Sequence, residues 1–131
     1  MGELKHIFHV EDEPDILEIA AIGLGEIGGF VVESCGSPSE ALDRAPGVAG
    51  QVDLLLLDVM MPEMDGLALL ERLRAVAGLE TTPAIFVTAK TDSREIAPLM
   101  DAGAIGVVAK PFDPMTVSDK IREIWKGHVG T

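Results

Sequence analysis

Short apolar runs alternate with amphipathic segments along the whole chain. Runs that are continuous rather than alternating are typical of parallel strands whose two faces are both buried. The predicted strands cover residues 7–10, 30–32, 54–57, 84–87 and 106–109. The pattern therefore predicts five short, buried strands.

The segments between these runs carry apolar residues at helical spacing, which predicts amphipathic helices. The predicted apolar faces are Leu17, Ala20, Leu24 and Ile27; Leu70, Leu73 and Val76; Ile96, Leu99 and Met100; and Val117, Ile121, Ile124 and Trp125. The remaining helix is predicted from its start signal, because Ser37 to Glu40 form a capping box with Pro38 at the first helical position.

Further residues predict where helices begin and end. Glu13-Pro14 and Asp113-Pro114 repeat the order of cap and proline, while Gly78 and Gly103 are predicted stops. Pro98 is unfavourable inside its predicted helix, and we expect it to kink the segment 92–102 or to delay the start of that helix.

Strict alternation of strands and helices predicts an α/β fold, a parallel sheet covered by helices on both sides. Ligands of such sheets bind beyond the carboxyl ends of the strands. The residues predicted at those ends are Glu11, Asp12 and Glu13 after the first strand, Ser34 and Cys35 at the second, Asp58 at the third, Thr88 at the fourth and Lys110 at the fifth. All ends except the second thus deliver an acid, a hydroxyl or an amine to one edge.

These side chains together predict a phosphoryl-transfer site. Glu11, Asp12 and Asp58 would repel one another, and a hard cation such as Mg²⁺ relieves that repulsion. An added ammonium and hydroxyl can neutralise and position a phosphoryl group, and a carboxylate can accept one. Taken singly, Asp12 could be only a helix cap, Thr88 a packed residue and Lys110 a solvated charge, so the hypothesis rests on the joint pattern.

Composition narrows the classes of protein that fit. The 131 residues, 47% of them hydrophobic, suit one globular domain. No run approaches the roughly 20 apolar residues of a membrane span, and no signal peptide is evident, so we expect a cytoplasmic protein without membrane contact. A net charge of −12 argues against direct binding to nucleic acid. Cys35, His9 and Trp125 are interpreted as packed residues.

Three motifs resemble the receiver domains of two-component response regulators, including the stand-alone chemotaxis regulator. Residues 57–66, LDVMMPEMDG, are similar to the phosphoacceptor loop of that family. Residues 87–90, VTAK, resemble its switch-threonine segment, and residues 101–104, DAGA, followed by Lys110-Pro111-Phe112, resemble its last strand. The resemblance covers residues 5–126.

The resemblance implies a flavodoxin-like, doubly wound sheet of five strands in the order 2-1-3-4-5 with five helices. It implies that Asp58 is the phosphoacceptor, with Thr88 and Lys110 binding the phosphoryl group. The implied ligands of Mg²⁺ are Asp12, Asp58, the main-chain carbonyl of Met60 and, through water, Glu11. A cis peptide bond between Lys110 and Pro111 is expected partly from the resemblance and partly from the turn that Lys110 must make.

The resemblance also implies a single receiver domain over residues 1–131, with a core at 5–126 and a short tail. Its expected role is a signalling switch that catalyses only its own phosphorylation and dephosphorylation. A histidine kinase or phosphotransfer protein would supply the phosphoryl group. Because the sequence ends soon after the last helix, we expect output through an unknown downstream protein, with a possible dimer through the face of helix 4, strand 5 and helix 5.

Two residues depart from the family pattern. Glu11 stands where aspartate is more frequent, and Val107 stands where many relatives carry a switching Tyr or Phe. Because Val107 cannot sweep the volume of a ring, the output change is expected in the backbone around residues 89–98.

Three alternative functions are weaker. A phosphatase with an aspartyl nucleophile usually needs a second acid where Met60 stands. A flavin-dependent electron carrier would need more aromatic residues than the 4% present. An interaction module with a vestigial site is disfavoured by the intact set of Asp12, Asp58, Thr88 and Lys110.

Overall fold

Strands and helices alternate through residues 3–129, which are the residues that the computed structural model describes. The strands are β1 (His6–Val10), β2 (Val31–Cys35), β3 (Leu54–Asp58), β4 (Ala84–Thr88) and β5 (Gly106–Ala109). The helices are α1 (Pro14–Ala20) with a π-helical continuation (Ala21–Ile27), α2 (Pro38–Val48), α3 (Gly66–Arg74), α4 (Ser93–Asp101) and α5 (Val117–Val129). The outermost residues of the expected 1–131 domain lie outside the described residues.

The five strands are parallel and lie in the order β2-β1-β3-β4-β5. With the first helix counted with its continuation, five helices accompany the sheet. The predicted flavodoxin-like, doubly wound fold is therefore confirmed.

Both faces of the sheet are buried, which explains the continuous apolar runs. On β3, Leu55 and Leu57 belong to one core cluster, together with buried residues of α2, α3 and α4. Leu54 and Leu56 belong to the other, which includes buried residues of α1 and α5. Trp125 and Cys35, 7% and 0% exposed, are packed as predicted.

The first predicted helix face is correct as far as Leu24 and wrong at Ile27. Leu24 is fully buried, whereas Ile27 is 46% exposed. The cause is the π-helix over Ala21–Ile27, in which Gly28 N–H donates to the carbonyl of Gly23 at 3.1 Å, five residues earlier. Each π turn uses more residues than an α turn, so later positions rotate off the predicted face.

Other helix predictions need smaller corrections. α3 ends at Arg74, so Val76 lies outside it and Gly78 stands in the turn that follows. Met100 is 44% exposed, so the buried face of α4 consists mainly of Leu99. Gly103, with a φ of 104°, follows the end of α4 as predicted.

The predicted caps are mostly present. Ser37 accepts a hydrogen bond from Glu40 N–H at 3.1 Å, while the Glu40 carboxylate accepts from Gly36 instead of Ser37. Glu13 occupies its N-cap position without a side-chain bond. Asp113 caps a turn, and α5 begins only at Val117.

Pro98 lies inside α4, which starts at Ser93 with Asp92 as its N-cap, so the proline does not delay the helix. Among the described residues, no helix combines the length and apolar character that a bilayer span requires.

Candidate functional site

The predicted residues meet at one edge of the sheet. They stand at or just after the carboxyl ends of four strands, β1, β3, β4 and β5. Val10 pairs with Leu57, Asp58 pairs with Val87, and Thr88 pairs with Ala109. This register places the residues that follow β1 and β5 beside the ends of β3 and β4, as the sequence predicted.

Asp58 closes β3 and is only 2% exposed. Its Oδ1 lies 3.0 Å from Lys110 Nζ. Its Oδ2 is buried and has no hydrogen-bond partner among residues 3–129. Burial raises the pKa of the Asp58 carboxyl, and the ammonium of Lys110 partly opposes that rise. Asp58 Oδ1 is thus held by Lys110, while Oδ2 is free to bind a ligand or a metal ion.

The carboxylates of Glu11 and Asp12 lie close to that of Asp58. One oxygen from each of Glu11, Asp12 and Asp58 lies within 4.8 Å of the other two. Glu11 is fully buried, and its Oε2 accepts a hydrogen bond from Glu13 N–H at 3.1 Å. Burial raises the pKa of Glu11 to about 7, although Lys110 works in the opposite direction. Asp12 Oδ1 is buried without a hydrogen-bond partner among the described residues.

Lys110 bridges two of the carboxylates. Its Nζ lies 2.7 Å from Glu11 Oε1 as well as 3.0 Å from Asp58 Oδ1. Burial alone would lower the pKa of Lys110, but hydrogen bonds to Glu11 and Asp58 outweigh it, so the pKa is raised and the side chain stays charged. The peptide bond from Lys110 to Pro111 is cis, as predicted.

Thr88 and Met60 complete the predicted set. Thr88 is 5% exposed, and its Oγ1 accepts a hydrogen bond from Lys90 N–H at 3.0 Å. Its carbonyl accepts from Lys110 N–H at 2.9 Å, which ties β4 to the segment that carries the lysine. Met60 lies two residues beyond Asp58, and its side chain is 64% exposed.

The loop after Asp58 is held by two residues of the 57–66 motif, Glu63 and Gly66, for which the sequence predicts no individual role. Glu63 adopts a φ of 73°, which is unfavourable for a side chain other than glycine. Its carboxylate accepts hydrogen bonds from Ser39, at 3.0 Å from the hydroxyl. The loop is thereby tied to the start of α2, a contact that no local sequence signal predicts.

Gly66 is the second such residue. A side chain at Gly66 would collide with the carbonyl oxygen of Asp58, and Gly66 N–H donates to the carbonyl of Val59 at 2.8 Å. Asp65 accepts from Ala68 N–H at 2.8 Å and so caps α3 at this point. The Asp-Gly pair, seven and eight residues after Asp58, is a sequence signal for a helix cap and for a close approach of the backbone.

The donor set fits a hard divalent cation. Three carboxylates converge, and two buried oxygens, Asp12 Oδ1 and Asp58 Oδ2, lack a hydrogen-bond donor among residues 3–129. Unpaired buried acceptors are costly, and a cation with its own water ligands would satisfy them.

His9 lies on β1, two residues before Glu11, and is fully buried. Burial, followed by the charge of Lys110, lowers the pKa of His9 to about 4, so the ring is neutral at pH 7. This agrees with its interpretation as a packed residue.

Comparisons with known proteins identify the family. A family model described as the response regulator receiver domain matches residues 7–122. The transcriptional regulatory protein CseB of Streptomyces coelicolor is 34% identical over 132 residues, which cover 99% of this chain and 54% of that protein. The DNA-binding response regulator MtrA of Mycolicibacterium smegmatis is 35% identical over 119 residues, covering 90% of this chain and 49% of that protein.

Solved structures of receiver domains have the same fold as this chain. The chemotaxis protein CheY4 of Vibrio cholerae superposes with a TM-score of 0.82 at 25% identity, over 93% of this chain and 99% of that one. A CheY-like response regulator receiver domain protein of Methanospirillum hungatei gives a TM-score of 0.78 at 27% identity, over 98% of this chain and 100% of that one. The chain spans about half the length of the curated relatives it matches, whereas it spans nearly all of these solved chains.

Proposed function

The chain belongs to the response regulator receiver family, and on that premise we propose that it is a switch driven by phosphorylation of Asp58. The observation that carries the proposal is the state of the Asp58 carboxylate. One oxygen is held by Lys110 at 3.0 Å, and the other is buried beside Asp12 with no hydrogen-bond partner among the described residues. A carboxylate fixed in this way can attack phosphorus without first reorganising its surroundings.

The reaction forms a bond between a carboxylate oxygen of Asp58 and the phosphorus of the donor. In the same displacement, the bond from phosphorus to the donor breaks, and its electron pair leaves with the donor's imidazole nitrogen or acyl oxygen. Lys110 neutralises negative charge on the transferring group, and the Thr88 hydroxyl turns to donate a hydrogen bond to it.

We further propose that Asp12, Asp58 and the main-chain carbonyl of Met60 bind Mg²⁺ directly and that Glu11 contacts it through water. The bound cation would supply positive charge to the phosphoryl oxygens. Asp12 and Asp58 contribute the unpaired oxygens described above. Both oxygens of Glu11 already have partners, Lys110 and Glu13 N–H, which favours a contact with the metal through water over direct binding.

Catalysis in this proposal is confined to the protein's own phosphorylation and dephosphorylation. The alternatives of a substrate-turning phosphatase and of an interaction module with a vestigial site are not favoured by the family match. The proposed receiver domain spans residues 1–131, with its core at 5–126.

The phosphoryl donor is proposed to be a histidine kinase or a phosphotransfer protein, docked beside Lys110. Ile19 on the first helix, 39% exposed, lies beside the turn that carries Lys110. Ile22 on the same helix and Met115, three residues after Phe112, are 38% and 66% exposed. A small cavity of about 60 Å³ lies between Ile19 and the Lys110–Phe112 turn. Such apolar surface is typical of a protein contact.

Output is proposed to pass through the face formed by α4, β5 and α5 to a downstream protein or to a second copy. The two curated relatives named above, CseB and MtrA, are a transcriptional regulatory protein and a DNA-binding response regulator, and this chain spans about half of each. For this chain, a net charge of −12 disfavours contact with nucleic acid and with anionic membranes, so we propose output through protein contact. A cytoplasmic location is part of the same proposal.

The test is incubation of the protein with acetyl phosphate, with and without Mg²⁺, followed by intact-mass measurement. We expect the mass to rise by one phosphoryl group only when Mg²⁺ is present, and not in Asp58→Asn. Equal uptake by that variant would overturn the assignment.

A further inference from the structure

A second concave site lies at the opposite end of the sheet from Asp58. It is a cavity of about 660 Å³ bounded by the starts of β1 and β2 and by the end of α5. This size is within the range of small-molecule sites in proteins, which is about 300–1,000 Å³. Because parallel strands place their amino ends together, the cavity is separated from the phosphoacceptor by the length of the strands.

The cavity has an apolar wall. Trp125, Phe30 and Leu4 line it, each 7% exposed, and Val31 at the start of β2 is 56% exposed. β2 is an edge strand, so Val31 has no neighbouring strand on its outer side. The wall therefore offers aromatic and branched apolar surface to a ligand.

The rim of the cavity is cationic in a chain whose net charge is −12. Lys5, Arg122 and Lys126 line it, and Glu3 is the only carboxylate among the described lining residues. None of these three cations forms an ion pair with an acid within residues 3–129. An excess of positive charge beside apolar surface is suited to an organic anion.

Arg122 is already held in place for such a role. Its guanidinium stacks on the Phe30 ring, 4.4 Å from the centroid, and donates one hydrogen bond to the carbonyl of Gly28. A guanidinium has five N–H donors, so further donors remain for a ligand. Because the stack and the carbonyl contact fix the side chain, little conformational entropy would be lost on binding.

We propose that this cavity binds a small organic anion that has an apolar, aromatic or branched body and one or two negative charges. The apolar body would lie against Phe30, Val31 and Trp125. The anionic group would contact Arg122 and Lys126, with Lys5 adding long-range attraction. The proposal does not depend on phosphorylation of Asp58.

The experiment uses 8-anilinonaphthalene-1-sulfonate, an aromatic anion whose fluorescence rises in apolar sites. Trp125 is the only tryptophan and the chain has no tyrosine, so energy transfer from Trp125 reports that the probe has bound. The cavity variant and its control then show whether the bound probe lies in this cavity. We expect saturable transfer in the wild type and in Asp58→Asn. We expect Lys126→Glu to weaken binding by at least about fivefold, or about 1 kcal/mol.

Lys120→Glu is the matched control, because Lys120 is an exposed lysine on the same helix that does not line the cavity. It should retain the wild-type affinity. Two competitors separate the parts of the ligand: naphthoate should displace the probe, whereas inorganic phosphate at the same ionic strength and the uncharged 1-naphthol should displace it poorly.

The proposal is overturned if transfer is absent or does not saturate, or if the two lysine variants weaken binding equally. It is also overturned if phosphate or 1-naphthol competes as well as naphthoate. Sedimentation of the same samples measures the oligomeric state and so distinguishes a ligand site from a dimer interface. A dimer that Lys126→Glu dissociates, without probe binding, would assign the cavity to a second copy of the chain instead.

Discussion

At the scale of single residues, the site is defined by carboxylates that burial makes costly to ionise. Burial raises the pKa of both Asp58 and Glu11, and Lys110 is the one cation among the described residues that contacts either of them. One ammonium cannot neutralise Glu11, Asp12 and Asp58 together. Metal-free protein therefore retains electrostatic repulsion at this edge of the sheet.

Replacing Asp12 with alanine should remove part of that repulsion. We expect the metal-free variant to be more stable than the wild type, by on the order of 1 kcal/mol, and to melt at a higher temperature. Mg²⁺ should raise the melting temperature of the wild type, because it binds the native state, and should have little effect on the variant. Thermal melts with and without Mg²⁺, at constant ionic strength set by NaCl, measure both effects.

A Mg²⁺ response of wild-type size in Asp12→Ala would show that Asp12 is not a ligand. The ionic strength is kept constant because salt screens the repulsion within a chain of net charge −12. That screening would raise the melting temperature even without specific binding of Mg²⁺.

Gly66→Ala tests the close approach behind Asp58. The new methyl group would collide with the Asp58 carbonyl, so we expect a loss of about 1–3 kcal/mol in the free energy of unfolding and slower phosphorylation. Gly127→Ala is the matched control, because nothing lies within 4 Å of its added methyl group inside α5. Alanine is the better helix former, so this control should gain up to about 1 kcal/mol.

Urea unfolding of the two variants provides the measurement. Equal stabilities for Gly66→Ala and Gly127→Ala would mean that the loop after Asp58 has room to relax, contrary to the structure.

At the scale of elements, the strands could be predicted well because burial on both faces leaves a simple signal. The four leucines of β3 are all buried, two in each core cluster, and their continuous run is the consequence. Placing acids and a lysine at strand ends then required only the rule that parallel strands end at one edge.

The helices were less predictable, because their apolar faces depend on winding and on neighbours. Ile27 is exposed because a π-helix follows α1. That segment packs closely on α5: a side chain at Gly23 would reach within 2.8 Å of the Val117 side chain, and the Ser118 hydroxyl donates to the Gly23 carbonyl at 2.6 Å. Contacts across some 90 residues of sequence cannot be read from local periodicity. The tie between Ser39 and Glu63 was unpredictable for the same reason.

α4 is the element that we expect to respond to phosphorylation. Leu99 is its only fully buried residue, and Pro98 removes one hydrogen-bond donor from its interior. Val107, on the neighbouring strand, is half-buried against the core and too short to replace a moving aromatic ring. When Thr88 turns towards a phosphoryl group, the change should therefore appear in the backbone of residues 89–98.

Amide hydrogen exchange with and without beryllofluoride, in the presence of Mg²⁺, tests this expectation. Exchange should change in residues 89–98 and stay constant in α2, which is anchored by buried Ala41 and Ala45. A response in α2 with no change after Thr88 would contradict it.

At the scale of the whole molecule, the two ends of the sheet differ in charge and chemistry. The carboxyl ends of the strands gather acids around one lysine, whereas the amino ends open into a cavity with a cationic rim. α5 links the two, because it begins shortly after the Lys110–Phe112 turn and its second half carries Trp125 and Lys126 into the cavity wall. The family match gives the first end its proposed role, while the role proposed for the second end rests on the cavity itself.

The central claim is that Asp58 itself carries the phosphoryl group. The most direct measurement treats the protein with acetyl phosphate and Mg²⁺, reduces the acyl phosphate with borohydride, and maps the modified residue by peptide mass spectrometry. Reduction converts an aspartyl phosphate to homoserine, so we expect homoserine at position 58 and none when Mg²⁺ is omitted. Modification at Asp12 or Glu11, or the same yield at position 58 without Mg²⁺, would contradict it.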